Sequence, residues 1–179
     1  MEQKIIIAGF GGQGVLSLGQ LIAYASIEEH KEVTWLPCYG PEMRGGTSNC
    51  SIVISDKIIA SPIVDWADCV IVMNRPSLEK FSPKVKAGGI LIINSSLIPD
   101  SYEKANLCVI KIKANEFAEE TGSVKNANLV LLGAYVGKSG IFSLETISTV
   151  INEKFSGKPK LIPGIKEAFR IGYEIGQKY

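Results

Sequence analysis

The sequence has a single histidine, His30, and its four cysteines (Cys38, Cys50, Cys69 and Cys108) form no CxxC pair. A histidine-based triad or metal site therefore has little material, and neither a zinc site nor an iron–sulfur cluster has its usual support. Charge is also scarce in excess: the formal net charge is +1 over 179 residues, which withholds the basic footprint that non-specific nucleic-acid binding relies on. No apolar run approaches the roughly 18–20 residues that span a bilayer. The N-terminus enters an apolar stretch at MEQKIII with no cationic n-region and no cleavage site, so no secretion signal is expected and the chain reads as cytoplasmic. With 46% apolar and 21% charged residues, the make-up is that of an ordinary globular protein. The length suits one domain, 1–179, with a substantial core.

What is present is a run of buried-type strands. Residues 4–10 (KIIIAGF) are continuously apolar and end in glycine, as a strand covered on both faces does. Leu18, Leu21, Ile22 and Ala25 recur at helical spacing, predicting a helix over 12–29, and 32–37 (EVTWLP) reads as a second strand stopped by Pro37. Strand, glycine turn, helix and strand make a βαβ unit with a right-handed crossover. After a loop over 38–46, residues 47–55 and 58–60 predict a hairpin turning at Asp56-Lys57, which puts at least one antiparallel pair in the sheet. Further strands are expected at 68–74, 89–96 and, half-exposed, 107–113, with a short helix around 77–81. Helices follow over 127–138, 144–155 and 162–176. The fold class is α/β: a three-layer α/β/α, Rossmann-like arrangement with a mixed, mostly parallel sheet and a C-terminal helical section. Ile165, Phe169 and Tyr173 share one face of the last helix, which suits core packing or a partner surface. Three cysteines lie in strand-like apolar surroundings and read as buried thiols, Cys38 falls in the loop, and His30 reads as a solvated helix-end residue.

The cluster GFGGQGV centres on Gly9, Gly11 and Gly14, the spacing of the dinucleotide fingerprint. In such a turn the first glycine allows the bend, the second admits a phosphate to the backbone and the third lets helix and strand approach. A nicotinamide site should also have an acidic residue at the C-terminal end of the second strand; Glu28, Glu29 and Glu32 lie before or at its beginning, which weakens that reading. Gly12 and Gln13 make the turn denser than a dinucleotide needs. They suggest backbone approach to something bulky, a ligand's phosphate or another protein's loop, with a side-chain donor and acceptor beside it. A tight structural turn that binds nothing is the alternative.

The second cluster, CYGPEMRGGTSN (38–49), begins where the second strand ends, so it should hang beside the glycine turn outside the carboxyl ends of the strands. Tyr39 offers a ring and a hydroxyl, Glu42 and Arg44 opposite charges, and Gly45 and Gly46 backbone freedom. Arg44 could bind a phosphate or carboxylate through its planar fork; a solvated loop with an internal Glu42–Arg44 pair is the plainer reading.

"GFGGQGV" followed by "YGPEMRGG" and then a polar-to-apolar strand resembles the gamma subunit of 2-oxoacid:ferredoxin oxidoreductases. The 2-oxoglutarate and 2-oxoisovalerate branches look nearest, since pyruvate-type relatives tend toward FGPERRG in that loop. "NLVLLGA" (128–134) resembles a third family segment. The resemblance implies oxidative decarboxylation of a 2-oxoacid, 2-oxoglutarate by branch, with coenzyme A to acyl-CoA and carbon dioxide, electrons passing to ferredoxin or flavodoxin. Thiamine diphosphate, magnesium and iron–sulfur clusters are then carried by alpha, beta and small ferredoxin-like delta chains; this chain lacks the Gly-Asp-Gly…Asn pattern that holds the magnesium of thiamine diphosphate. It would be inactive alone, closing over the active site and helping to bind coenzyme A through Gly9, Gly11, Gly12, Gln13, Gly14, Tyr39, Glu42, Arg44, Gly45 and Gly46. Asn128 opens a helix and reads as its N-cap, or as a contact to a neighbouring subunit or ligand. A purely structural assembly subunit and a stand-alone nucleotide-binding domain are the competing readings. Exposed partner surfaces often make such a chain self-associate when isolated.

Overall fold

The apolar run near the N-terminus becomes the third strand of a six-stranded sheet. A computed structural model describes residues 1–39, 47–99 and 102–179. The strands are β1 (Glu2–Phe10), β2 (Glu32–Tyr39), β3 (Thr47–Ser55), β4 (Ala67–Val72), β5 (Val85–Asn94) and β6 (Cys108–Ile112), in the spatial order β2-β3-β1-β4-β5-β6. The helices are α1 (Val15–Glu28), α2 (Arg75–Phe81), α3 (Ala114–Glu120), α4 (Ala127–Ser139), α5 (Leu144–Lys154) and α6 (Ile162–Gly176). β1 pairs in parallel with β4 and antiparallel with β3, so both its edges and both its faces are covered. Alternation along the strand sends Ile5 and Ile7 into one core layer and Ile6 and Ala8 into the other.

The α/β class and the mixed, mostly parallel sheet are as expected, and three details of the sequence reading need correction. Pro37 does not stop the second strand. β2 is an edge strand bonded only to β3 and runs on to Tyr39, and an edge position tolerates a residue with no N–H to give. Cys38 consequently lies in the strand, exposed, opposite Asn49. The hairpin is not 47–55 with 58–60: β3 pairs back with β2 on one side and with β1 on the other, so neither edge is left for a third partner, and 58–60 is not a strand. The same insertion of β3 splits the expected βαβ unit, because β1 and β2 are not neighbours.

The two outer layers are unequal. One face of the sheet is covered by α1, α3, α4, α5 and α6 around the larger core cluster, whereas the other has, among the described residues, the seven-residue α2, a 3₁₀ turn over Ser82–Lys84 and irregular segments contributing Val64 and Ile98. α4 and α6 are in unusually close contact: a Cβ added at Gly133 or Gly172 would run into the backbone carbonyl of Phe169 or Val130. Ile165 and Phe169 are buried in this layer and Tyr173 is half-buried, its ring 6.1 Å from that of Phe169, so this face of the last helix serves the chain's own core.

Candidate functional site

β1 ends at Phe10 and α1 starts at Val15, leaving Gly11–Gly14 to reverse the chain at the carboxyl rim of the sheet. Two of these residues take positive φ, Gly12 at 95° and Gly14 at 79°, a region costly for any residue with a Cβ. The Gln13 side chain is spent inside the turn. Its Oε1 accepts from the Phe10 amide at 2.6 Å and its Nε2 donates to the Met73 carbonyl at 3.2 Å, tying the end of β1 to the end of β4. This amide braces the loop, with its acceptor and donor both engaged inside the turn. Gly9 makes room for that brace, since a Cβ there would sit 2.6 Å from Gln13 Oε1.

Asn128 is also placed differently from its expected N-cap role. The cap position of α4 is Asn126, preceded by a 3₁₀ turn over Val124–Asn126 whose Lys125 amide donates to Ser123 Oγ. Asn128 lies inside the first turn of α4, 5% exposed, and its Nδ2 donates to the Gly14 carbonyl at 3.3 Å. A Cβ on Gly14 would come within 2.5 Å of that nitrogen, so glycine is required twice over, by dihedral angle and by contact. The other end of the amide, Oδ1, is buried without a hydrogen-bond partner among the described residues. Orphaned acceptors of this kind are uncommon in folded proteins.

Of the second sequence cluster, Glu42, Arg44, Gly45 and Gly46 lie outside the described residues, and Tyr39 is described by its backbone alone. The strands fix where that segment begins and ends. Tyr39 is opposite Ser48, and Thr47 is opposite Phe10, so the chain leaves and re-enters the sheet at the same rim as the glycine turn. The strand adjacent to β1 on this side is β3, running the opposite way, whereas a nicotinamide-binding domain needs a parallel neighbour ending there in an acid.

Two clefts open beside the turn, neither apparent from the sequence. The larger, of about 620 Å³, is bounded by Gly12, Gly14 and Ser17 on one side and by Lys125, Asn128, Lys160 and the start of α6 on the other. The smaller, of about 200 Å³, lies outside the carboxyl ends of β4 and β5 and is lined by Gln13, Met73, Asn94 and Asn115. Gly12 and Lys125 belong to both. No carboxylate lines either cleft among the described residues. α1 opens without a side-chain cap or an acidic residue in the first turn, which leaves the positive end of its dipole available to an anion, whereas α6 continues from a 3₁₀ turn over Pro159–Leu161 and its first amide, Ile162, donates to the Pro159 carbonyl. Lys125 and Lys160 make no ion pair among the described residues. Asn94, 2% exposed, is satisfied: its Nδ2 donates to Asn115 Oδ1 at 3.0 Å and its Oδ1 accepts from the Ser96 amide at 3.3 Å. Ser96 Oγ in turn donates to Glu116, and that bond holds the Glu116 carboxyl below its ordinary range. An asparagine ending a buried strand was a signal available in the sequence; the two lysines come together only through the packing of α6 on α4.

The described residues contain no group of three or more His, Cys, Asp and Glu side chains positioned to hold a metal ion. No helix among them is long and apolar enough to cross a membrane.

Residues 4–175 match the family model described as pyruvate ferredoxin/flavodoxin oxidoreductase. Among characterised relatives, ketoisovalerate oxidoreductase subunit VorA of Methanothermobacter marburgensis is 43% identical over 163 residues, which is 90% of this chain and 34% of that protein. The chain thus spans about a third of that relative's length. The 2-oxoglutarate synthase subunit KorC of the same organism is 34% identical over 192 residues, 99% of this chain and 100% of that one. Among solved structures, the gamma subunit of a keto/oxoacid ferredoxin oxidoreductase from Geobacter sulfurreducens superposes with a TM-score of 0.84 at 27% identity, covering 99% of both chains. A 2-oxoglutarate:ferredoxin oxidoreductase from Magnetococcus marinus, with 2-oxoglutarate, coenzyme A and succinyl-CoA bound, superposes at 0.91 and 24% identity over 99% of this chain and 31% of that one, a likeness of fold. A sheet with this strand order, a braced glycine turn and an end-to-end match to free-standing relatives lead to one conclusion: the chain belongs to the pyruvate ferredoxin/flavodoxin oxidoreductase family, among its gamma-type subunits.

Proposed function

We propose that residues 1–179 act as one gamma-type unit of a 2-oxoglutarate:ferredoxin oxidoreductase and that the unit helps to bind coenzyme A. In the full reaction 2-oxoglutarate, coenzyme A and oxidised ferredoxin give succinyl-CoA, carbon dioxide and reduced ferredoxin, the two electrons of the oxidation leaving through iron–sulfur carriers. The alpha, beta and delta chains are the partners that this reading requires, with thiamine diphosphate, magnesium and clusters in those chains supplying the bond-breaking and electron-transfer chemistry. The contribution of this chain is to bind and orient. Backbone N–H groups of the glycine turn and the start of α1 face a phosphate of coenzyme A, and Arg44 clamps it from the neighbouring segment. Holding the thiol in place accelerates acyl transfer through proximity and orientation.

The observation that carries the reading is a cleft with no carboxylate among its described lining residues, beside an uncapped helix start at the carboxyl rim of the sheet. The end-to-end similarity to a 2-oxoglutarate synthase subunit supports the choice of substrate. The higher identity to a ketoisovalerate relative favours, as a second reading, a branched-chain 2-oxoacid. The test is a reassembled complex carrying Arg44→Ala, assayed for coenzyme A affinity and acyl-CoA formation with both oxoacids. Weaker coenzyme A binding is expected; unchanged values remove the clamp. The substrate profile of the unaltered complex decides between the two oxoacids.

A further inference from the structure

We propose that the thinly covered face of the sheet docks this unit onto the remainder of the oxidoreductase, through the connection between β3 and β4, with Ile58, Ile63 and Trp66 as its apolar anchors. The inference rests on membership of the family and not on where coenzyme A is held.

The connection has two sides. Ile59 and Val64 turn inward and join the smaller core cluster with Ile6, Val53 and Val70. Ile58, Ile63 and Trp66 turn outward and are 90%, 61% and 61% exposed. Residues 58–64 (IIASPIV) include no charged side chain. Leu36 lies on the same side of the sheet: Val33 and Trp35 pack against the larger cluster, so alternation sends Leu36 the other way, 45% exposed. On the helical side, the exposed large apolar residues are dispersed over α1 (Tyr24, Ile27), the start of α5 (Leu144) and the approach to α6 (Leu161). The outward face of α6 is taken up by the ion pairs of Arg170 with Glu167 and Glu174. Apolar, charge-poor surface gathered in one segment marks an interaction site, whereas apolar residues scattered singly do not.

The backbone of the connection is a second, independent observation. Among the described residues, its peptide groups from 57 to 65 make no backbone–backbone hydrogen bond, the run of such bonds ending where the Asp56 amide donates to the Met1 carbonyl. The amides of Lys57 and Ile63 turn instead to Ser55 Oγ and Ser61 Oγ. Free peptide groups set between large apolar side chains fit a protein surface, which supplies hydrogen bonds and apolar contacts together. The occupant follows from chain lengths in the family. The unit covers 34% of the ketoisovalerate VorA chain and 31% of the Magnetococcus chain, yet 100% of the 2-oxoglutarate synthase subunit KorC. The family thus builds the unit both in one polypeptide with a body about twice its size and as a chain of its own. Where no peptide link joins them, surface contact must hold the unit to that body, and a second copy of the unit has no comparable support.

The experiment is reassembly of the complex, read by native mass spectrometry and by hydrogen exchange across the connection. Ile58→Glu and Trp66→Ser should each weaken retention of this chain by about tenfold or more, as loss of a central interface anchor does. Leu144→Glu, on the helical side, should assemble as the unaltered chain does. In the unaltered complex the amides of 58–65 should exchange at least about tenfold more slowly than in the same chain before assembly. This second measurement uses no variant, so a folding defect in a substituted chain cannot stand in for lost docking. Full assembly by both variants, or amides that exchange as fast in the complex as before it, overturns the docking face. A dimer of this chain that Ile58→Glu dissociates, while the complex keeps its composition, assigns the patch to a second copy and overturns the proposal too.

Discussion

Gly14→Ala tests the link between the glycine turn and α4. The substitution forces a side chain into φ 79°, at a cost of roughly 1–2 kcal/mol. It also places a Cβ 2.5 Å from Asn128 Nδ2, so the amide must withdraw from the Gly14 carbonyl and leave buried polar groups unsatisfied, at roughly 1–3 kcal/mol. The expected loss is about 3 kcal/mol, a fall in Tm of about 6–12 °C for a chain of this size. Gly12→Ala is the control, because it meets the same dihedral penalty at φ 95° with open space around it, and should cost about 1 kcal/mol. Urea unfolding of Gly14→Ala, Asn128→Ala and the pair completes a double-mutant cycle. Removing the asparagine relieves the collision, so the pair should cost less than the two single changes added together, by about 1 kcal/mol or more. An additive cycle, or a Gly14→Ala no more damaging than Gly12→Ala, would refute the proposed contact.

Gln13→Leu should cost about 2 kcal/mol by stranding the Phe10 amide and the Met73 carbonyl, and hydrogen exchange at Phe10 should rise well before global unfolding. Gly172→Ala should cost about 3 kcal/mol by driving a methyl group into Val130 of α4, while Gly157→Ala, with no neighbour within 4 Å, should be near neutral in the same thermal melts. Thiol labelling at pH 8 should modify exposed Cys38 first; Cys50 and Cys69 are fully buried, and burial pushes the Cys50 thiol up to about 12. Labelling of Cys50 as fast as Cys38 would contradict the buried placement. The same shift predicts alkaline destabilisation. A raised folded-state value means that the unfolded chain loses its proton first, so the stability contributed by neutral Cys50 is whole below its ordinary value of 9.0 and drains away as pH climbs toward 12, at about 1.4 kcal/mol per pH unit. Buried Cys69 and Tyr135 are shifted the same way and steepen the fall.

The strands and helices were largely legible in the sequence because burial on two faces writes itself as unbroken apolar runs: Ile5–Ile7 and Val70–Val72 are such cases. Strand order was not legible. Nothing local in 47–55 says that it is inserted between β1 and β2, and the apolar residues at 58–60 imitate a strand although Ile58 is 90% exposed. The glycine turn could be located, but not the uses of its residues. Gln13 and Asn128 advertise hydrogen bonding without naming a partner, and their partners, Met73 and Gly14, are 60 and 114 residues away. Lys125 and Lys160 carried no signal at all, since two surface lysines acquire meaning only when α6 brings them to one cleft.

The near-fusion of α4 with α6 has a mechanical consequence. Helices whose backbones touch at glycines cannot slide past one another without collision, so the pair moves as a single stiff lever. Asn128, at one tip of that lever, grips the glycine turn, and the first residues of α6 form the opposite wall of the same opening. A displacement of the C-terminal helix would carry α4 with it and act on the loop at the end of β1 through the Asn128–Gly14 hydrogen bond.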